Sequence, residues 1–226
     1  MIHVTSSLPA AGSRLLRETV YEQLRADMIS CKLAPGTEIR EAELATRFDM
    51  SKSPVRDALM RLEREGLVIT LPRQGYRVAP VSLADVLDMF HLRAALERAC
   101  VERIAHHASD EQLEELNAFR HFDAQAWDGG FIAYNRAFHR CLAQLGANIR
   151  MRDQLIELID LMERAVHMSV NNIHQGDPNS LVKEHGELID ALQAREVRRA
   201  QRLAEQHVVA AGKRVRNAIS RSLIAG

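Results

Sequence analysis

Pro80 divides this chain into two kinds of sequence. Just ahead of it runs Leu67-Val68-Ile69-Thr70-Leu71, a Pro72-Arg73-Gln74-Gly75 turn, and a returning Tyr76-Arg77-Val78-Ala79. β-Branched residues on both sides of a proline–glycine turn predict a hairpin. Behind Pro80 apolar residues recur at helical spacing, and the pattern breaks only near Ser109-Asp110, Asp128-Gly129-Gly130, Gly146-Ala147-Asn148 and Gly176-Asp177-Pro178. That half predicts helices alone, with no strand and no internal repeat. A chain so divided is expected to hold one small mixed domain and one all-helical bundle.

The N-terminal part resolves further. Residues 1–13 are small and polar and read as a flexible tail. Val20, Leu24, Met28 and Ile29 give a helical stripe from about Leu15 to Ser30, which Pro35-Gly36 stops. A short helix is predicted over about Glu41–Phe48 and a longer one over about Lys52–Glu65, closed by Gly66. The expected boundaries are therefore 14–80 for the first domain and 83–222 for the second.

The two short helices meet the demands of a helix-turn-helix. Such a pair crosses steeply, so the first helix needs a small residue, the turn a residue that tolerates positive φ, and the second helix an apolar pin. Ala45, Asp49 and Val55 stand at those places. Ser51 is placed to cap the second helix, leaving Lys52, Ser53 and Arg56 on its exposed first turn, away from Val55, Leu59 and Leu62. The N-terminal end of such a helix enters a major groove, where arginine forks onto guanine and hydroxyls reach phosphates. Arg73, Gln74, Gly75 and Arg77 lie at the hairpin, suited to the backbone or minor groove, and Arg40 precedes the first of the two helices. An ordinary solvated helix face is the alternative for Lys52, Arg56 and Arg61; the basic hairpin that follows favours DNA binding.

Composition narrows the partners. Net charge is zero, and Lys/Arg against Asp/Glu runs 12 to 10 over residues 1–80 and 18 to 20 beyond. DNA affinity must then come from where the cations sit, since the total excludes a polybasic nucleic-acid coat. Three isolated cysteines suggest neither a disulfide framework nor a thiolate zinc site. No apolar run approaches the roughly twenty residues that span a bilayer, and a cytoplasmic protein without membrane attachment is expected.

Four segments carry a resemblance: Pro35-Gly36-Thr37, Glu41-Ala42-Glu43-Leu44-Ala45, Ser51-Lys52-Ser53-Pro54-Val55-Arg56-Asp57-Ala58-Leu59 and Leu62-Glu63-Arg64-Glu65-Gly66-Leu67-Val68. Over about residues 15–80 the chain resembles the N-terminal domain of GntR-family regulators. The resemblance implies a winged helix-turn-helix homodimer on a short pseudo-palindromic operator in double-stranded DNA. Ala42 and Lys52 stand where family members often carry arginine, and lysine lacks the rigid fork of arginine.

Nine of the ten histidines follow residue 80. In helical projection His185 falls within the stripe of Leu181, Val182, Leu188, Ile189 and Leu192. His207 lies on the inward face of Ala200, Leu203, Ala204, Ala211 and Val215. Asn135 and His139 sit one turn apart on the shoulder of Phe131, Tyr134, Phe138, Leu142 and Leu145. A single inward histidine is ordinarily a hydrogen-bonded core residue, whereas several converging imidazoles suit a metal.

Leu92-Arg93-Ala94-Ala95-Leu96-Glu97, Asn135-Arg136-Ala137-Phe138-His139, Glu184-His185 and His207 together resemble the FCD ligand-binding domain of the FadR subfamily, over about residues 83–220. Many such domains bind a divalent metal through one Asp and three His. The resemblance thus implies ligands at Asn135, His139, His185 and His207, with Asn135 at the Asp position. It implies zinc, with nickel or manganese as alternatives, and a small organic acid as effector. Arg93 is a candidate fork for the effector's carboxylate, the competing assignment being an i,i+4 pair with Glu97, and Asn135 a second effector contact. His167 and Asn171 are further candidates for the cavity. His106, His107 and His174 are expected at the surface, and the arginines of 195–202 on a solvated face.

The reading is thus a mainly α chain, a winged helix-turn-helix of three helices and a hairpin joined to an all-α bundle, acting as a transcription regulator of the repressor type. It is not expected to be an enzyme. Two rivals remain from the sequence: a metal-dependent hydrolase-like enzyme with a DNA-binding appendage, against which no carboxylate of the matched motifs stands as a general base, and a regulator whose metal is structural or absent.

Overall fold

The computed structural model describes the backbone of residues 11–172 and 178–224 and the side chains of 18–167 and 179–220. The whole expected tail, Asn171 and His174 therefore lie outside the described side chains, and the backbone of 11–13, expected as tail, belongs to the first helix instead. The chain divides into two compact units, residues 1–80 and 81–226.

The first unit contains α1 (Ala11–Ile29), β1 (Glu38–Ile39), α2 (Glu41–Arg47), α3 (Lys52–Arg64), β2 (Val68–Leu71) and β3 (Gly75–Val78). Its core is built from Val20, Leu24 and Met28 of α1, Val55, Leu59 and Leu62 of α3, and Val68 and Val78 of the sheet, each at most 1% exposed. Ala45 is buried where α2 crosses α3, Asp49 takes φ +51° in the turn, and Val55 is fully buried as the pin. The helix-turn-helix thus closes on the three residues that the sequence placed at its constraints.

The sheet is antiparallel in the order β1-β3-β2. Strand β1 is not anticipated by the sequence, because two residues carry no readable alternation. It pairs Glu38 with Arg77 and Ile39 with Tyr76. That pairing makes Gly75 obligatory: φ is +109° and a Cβ there would meet the Ile39 carbonyl oxygen at 2.6 Å.

In the second unit α4 (Leu83–His107), α5 (Asp110–Glu114), a 3-10 turn (Glu115–Phe119), α6 (Gly130–Leu145), α7 (Ile149–Asn172), α8 (Pro178–Gln193) and α9 (Val197–Ile224) form the bundle. Ser82 caps α4 through Asp85 N, and Ser109 with Gln112 forms a capping box on α5. Tyr134, Phe138, Leu142, Leu116, Ile104, Leu155 and Leu188 fill the interior, with Ala200 and Ala204 letting α9 approach. The arginines of 195–202 do not all lie on the solvated face expected for them. Arg195 does not lie on a solvated helix face but in the α8–α9 turn at φ +57°, where it donates to the carbonyls of Ala105 and Ala108 and to Asp110, closing the C-terminal end of α4.

Where α6 ends, Gly146 passes close to α4: a Cβ on it would stand 2.5 Å from the buried Cys100 Sγ. Gly146→Ala should therefore destabilise the second unit by about 1–3 kcal/mol, read as a lower urea midpoint. Cys100→Ala in the same chain should return part of the loss.

Candidate metal centre and DNA-reading surface

Three helices each deliver one imidazole to a single point inside the second unit. His139 from α6, His185 from α8 and His207 from α9 are 1%, 1% and 6% exposed, and one ligand atom from each lies within 4.8 Å of the others. The reason lies in their neighbours: each sits on the apolar stripe that docks its helix, so packing the bundle forces the polar rings together.

The Nδ1 atoms decide which way the rings present their lone pairs. His139 Nδ1 is 3.0 Å from the Glu97 carboxylate, and His207 Nδ1 contacts Glu184 Oε2. A carboxylate only accepts, so both imidazoles carry their proton on Nδ1. His185 Nδ1 is 3.1 Å from the Tyr134 hydroxyl, which spends its own proton on the Phe119 carbonyl at 2.6 Å. That hydroxyl must accept from His185, and this ring too is protonated on Nδ1. In the neutral rings all three Nε2 lone pairs consequently face the centre.

Two observations make this arrangement suited to a cation. His139 Nε2 and His207 Nε2 stand 3.2 Å apart, a distance at which two lone pairs repel unless a proton or a cation lies between them. His185 Nε2 is buried with no hydrogen-bond partner among the described residues, a deficit of about 1–3 kcal/mol. Burial, reinforced by Arg93, pushes the His139 imidazolium down to about 4. Burial likewise pushes His185 well below the usual imidazole range, with the neighbouring His207 and His139 adding to it. Both rings are thus neutral near pH 7, the form that binds metal. Imidazole nitrogen donors with fixed outer partners fit a borderline divalent ion better than a hard oxygen-seeking cation.

The other expected residues lie along α6, α4 and α7. Asn135 is half-buried one turn before His139 on α6. Arg93, 5% exposed, gives its Nε to Glu97 at 2.6 Å, the i,i+4 pair that competes with an effector role. His167 contacts Glu163 on α7 rather than the three-histidine cluster. Glu97, held well below the usual carboxylate range by Arg93 and His139 despite its burial, and Glu184, lowered by its bond to His207, are neighbours of the imidazoles that the sequence does not assign to them: from the sequence Glu97 is only an i,i+4 partner of Arg93. Their signal was adjacency: Glu184 precedes His185, and Glu97 follows Arg93 by one turn. Which imidazole each would meet depends on helix pairing that spacing does not reveal.

In the first unit Ser51, Lys52, Ser53 and Arg56 are exposed at the start of α3. Ser51 occupies the N-cap position but makes no side-chain cap bond, so its hydroxyl is not spent on the helix. Arg56 is held by Glu41 of α2 through Nε at 2.8 Å and Nη2 at 2.7 Å. That side-on fork leaves the end-on edge of the guanidinium facing outward. Arg40, Arg73, Gln74 and Gly75 line one hollow together with Glu38 and Glu41, which brings the α2 entry and the hairpin tip into a single surface. Arg77 pairs with Glu38 at 3.2 Å.

Comparison with known proteins covers both units. Residues 16–78 match the model for bacterial regulatory proteins, gntR family, and residues 88–210 match the FCD domain. The HTH-type transcriptional repressor RspR of Escherichia coli (strain K12) is 29% identical over 205 residues, covering 89% of each chain. Among solved structures, Escherichia coli McbR/YncC superposes with a TM-score of 0.72 at 22% identity, over 88% of this chain and 97% of that one. A GntR regulator from Rhodococcus sp. RHA1 gives 0.73 at 20% identity, over 88% and 96%. These two establish likeness of fold.

The centre predicts a measurable stabilisation. Protein stripped with a chelator and given zinc at a hundredfold over its Kd should gain about 2.7 kcal/mol, seen as a raised melting temperature. His185→Ala should lose bound zinc by elemental analysis. A variant that retained the wild-type content would remove His185 from the ligand set.

Proposed function

Because this chain belongs to the GntR family of bacterial regulatory proteins and carries an FCD domain, a family of DNA-binding transcription regulators and not of enzymes, we propose that it is a metal-dependent, effector-controlled repressor. The relative named as a transcriptional repressor supports the sign of regulation. The observation that carries the metal dependence is the convergence of three Nε2 lone pairs on one buried point.

In this reading His139, His185 and His207 hold a divalent ion through Nε2, with the amide oxygen of Asn135 as a fourth donor. Zinc is favoured, nickel and manganese being the alternatives. When bound, the ion supplies a fixed positive charge and open positions that attract a carboxylate. The effector is then a small organic acid, oriented by Asn135 and by whatever donors of Arg93 its bond to Glu97 leaves over. The centre serves binding rather than turnover: the two carboxylates nearest it, Glu97 and Glu184, are engaged on imidazole Nδ1 atoms and are not disposed to take a proton from water.

On the DNA side Arg56 presents its end-on edge to a guanine, Lys52, Ser51 and Ser53 contact phosphates, and Arg40, Arg73, Gln74, Gly75 and Arg77 form the flanking contacts. The protein acts as a homodimer in the cytoplasm, two recognition helices reading the two halves of an operator. Support for pairing comes from Leu87 and Val209, exposed apolar side chains that line one groove with Phe90 on α4 and α9. Described helices include none long and apolar enough to cross a membrane.

Arg56→Ala should abolish sequence-selective retardation of a fragment from the protein's own promoter region while far-UV circular dichroism is unchanged; undiminished affinity would contradict its role. Zinc-loaded protein screened against small organic acids by thermal shift should yield a binder that releases the operator. Release that persists after chelation would favour a regulator without a functional metal.

A further inference from the structure

The ligands proposed for the centre bring no charge of their own. Three imidazoles with their protons on Nδ1 are neutral, and Asn135, one turn before His139, is neutral as well. A doubly charged ion in a buried interior is strongly disfavoured without counter-charge close by. Around the three rings the described residues provide two such charges, and both act through an imidazole: Glu97 on His139 and Glu184 on His207.

Orientation by itself does not require a carboxylate. His185 is oriented by the Tyr134 hydroxyl, an uncharged acceptor. Yet on the other two rings the acceptor is charged, and Glu97 is charged with a side chain only 3% exposed. Burying that carboxylate is costly unless cations repay it. Arg93 repays part, at 2.6 Å. Glu184 is differently placed: its side chain is 36% exposed, and the Arg214 guanidinium stands 3.8 Å from it. A carboxylate on Nδ1 pushes electron density through the ring and strengthens Nε2 as a donor.

We infer that Glu97 and Glu184 are positioning residues that supply, through His139 and His207, the negative charge with which the centre retains a divalent metal. The inference rests on the proposed metal-binding reading and goes beyond it in assigning the source of affinity. The two should differ in weight. Losing Glu184 removes one counter-charge at a partly solvated edge. Losing Glu97 removes a buried one and leaves the Arg93 guanidinium unbalanced beside the dication.

Glutamine separates charge from orientation, since its amide oxygen still accepts from Nδ1–H. Full-length wild type, Glu184→Gln and Glu97→Gln would be titrated with zinc alone against a chromophoric chelator. Weakening of about 10-fold for Glu184→Gln and about 100-fold for Glu97→Gln is expected, the span typical of such outer partners. Metal-free helix content should stay unchanged. Asn135→Asp, which puts a carboxylate beside His139, should recover most of the affinity lost in Glu184→Gln, and Glu184→Asp should retain more than Glu184→Gln. If the glutamine variants bind zinc within twofold of a zinc-binding wild type, the carboxylates only orient the rings and the inference is overturned. Should Glu97→Gln fail to fold, the Glu184 series decides the matter. A wild type that binds no zinc would instead overturn the metal reading itself, and this inference with it.

Discussion

Everything distinctive about the second unit depends on three Nδ1–H groups finding acceptors at the edge of an apolar bundle. Glu97, Tyr134 and Glu184 take those protons, and each bond turns an imidazole so that its other nitrogen faces inward. Without them the rings could flip or change tautomer, and the interior would hold an assortment of half-satisfied polar groups. With them it holds three aligned lone pairs. The aromatic packing reinforces this: Phe138 stacks on His185 with ring centroids 4.0 Å apart, and Tyr134 is buried against Phe119, Phe122, Trp127 and Phe131. Moving the Tyr134 hydroxyl would mean moving that aromatic group, so the His185 orientation is as rigid as the core.

The first unit uses an acidic neighbour in a comparable way. Glu41 takes the side-on edge of Arg56 and is itself held below the usual carboxylate range mainly by that bond. A long exposed arginine ordinarily samples many rotamers, and ordering it at an interface costs about 0.5–1.5 kcal/mol. The fork with Glu41 already orders this side chain. It also explains how a chain of zero net charge and nearly balanced domains can read DNA. Two of its exposed cations are held by acids, Arg56 at the start of α3 by Glu41 and Arg77 on the hairpin by Glu38.

Much of this was legible in the sequence where a residue's role follows from its own chemistry and its spacing. Ala45, Asp49 and Val55 are such residues, because crossing, turning and pinning are local demands. The inward placement of His185 and His207 was legible as well, since each lies on the stripe that buries its helix, and His139 stands on the shoulder of such a stripe. What spacing could not show was pairing across helices. Glu97 stands 42 positions from His139, and Glu41 stands 15 from Arg56; neither contact has a sequence signature. Strand β1 was hidden for a related reason: it exists only because β3 offers it an edge. Arg195 misled because an arginine-rich run looks solvated, while a positive φ and two helix-end carbonyls gave this one a structural task.

These arrangements also bound how strong a control signal must be. Allosteric coupling in regulators is commonly about 1–3 kcal/mol, and one hydrogen bond to a charged group contributes about 1.5–3 kcal/mol. A ligand that altered a single bond in the Arg93–Glu97–His139 series would therefore operate at the required scale, with no need to unfold a helix. The same series explains why such a change would not stay local. Arg93 and Glu97 belong to α4, His139 to α6 and His207, 3.2 Å from His139, to α9. A change at any one of these groups therefore touches the charge balance of three helices at once.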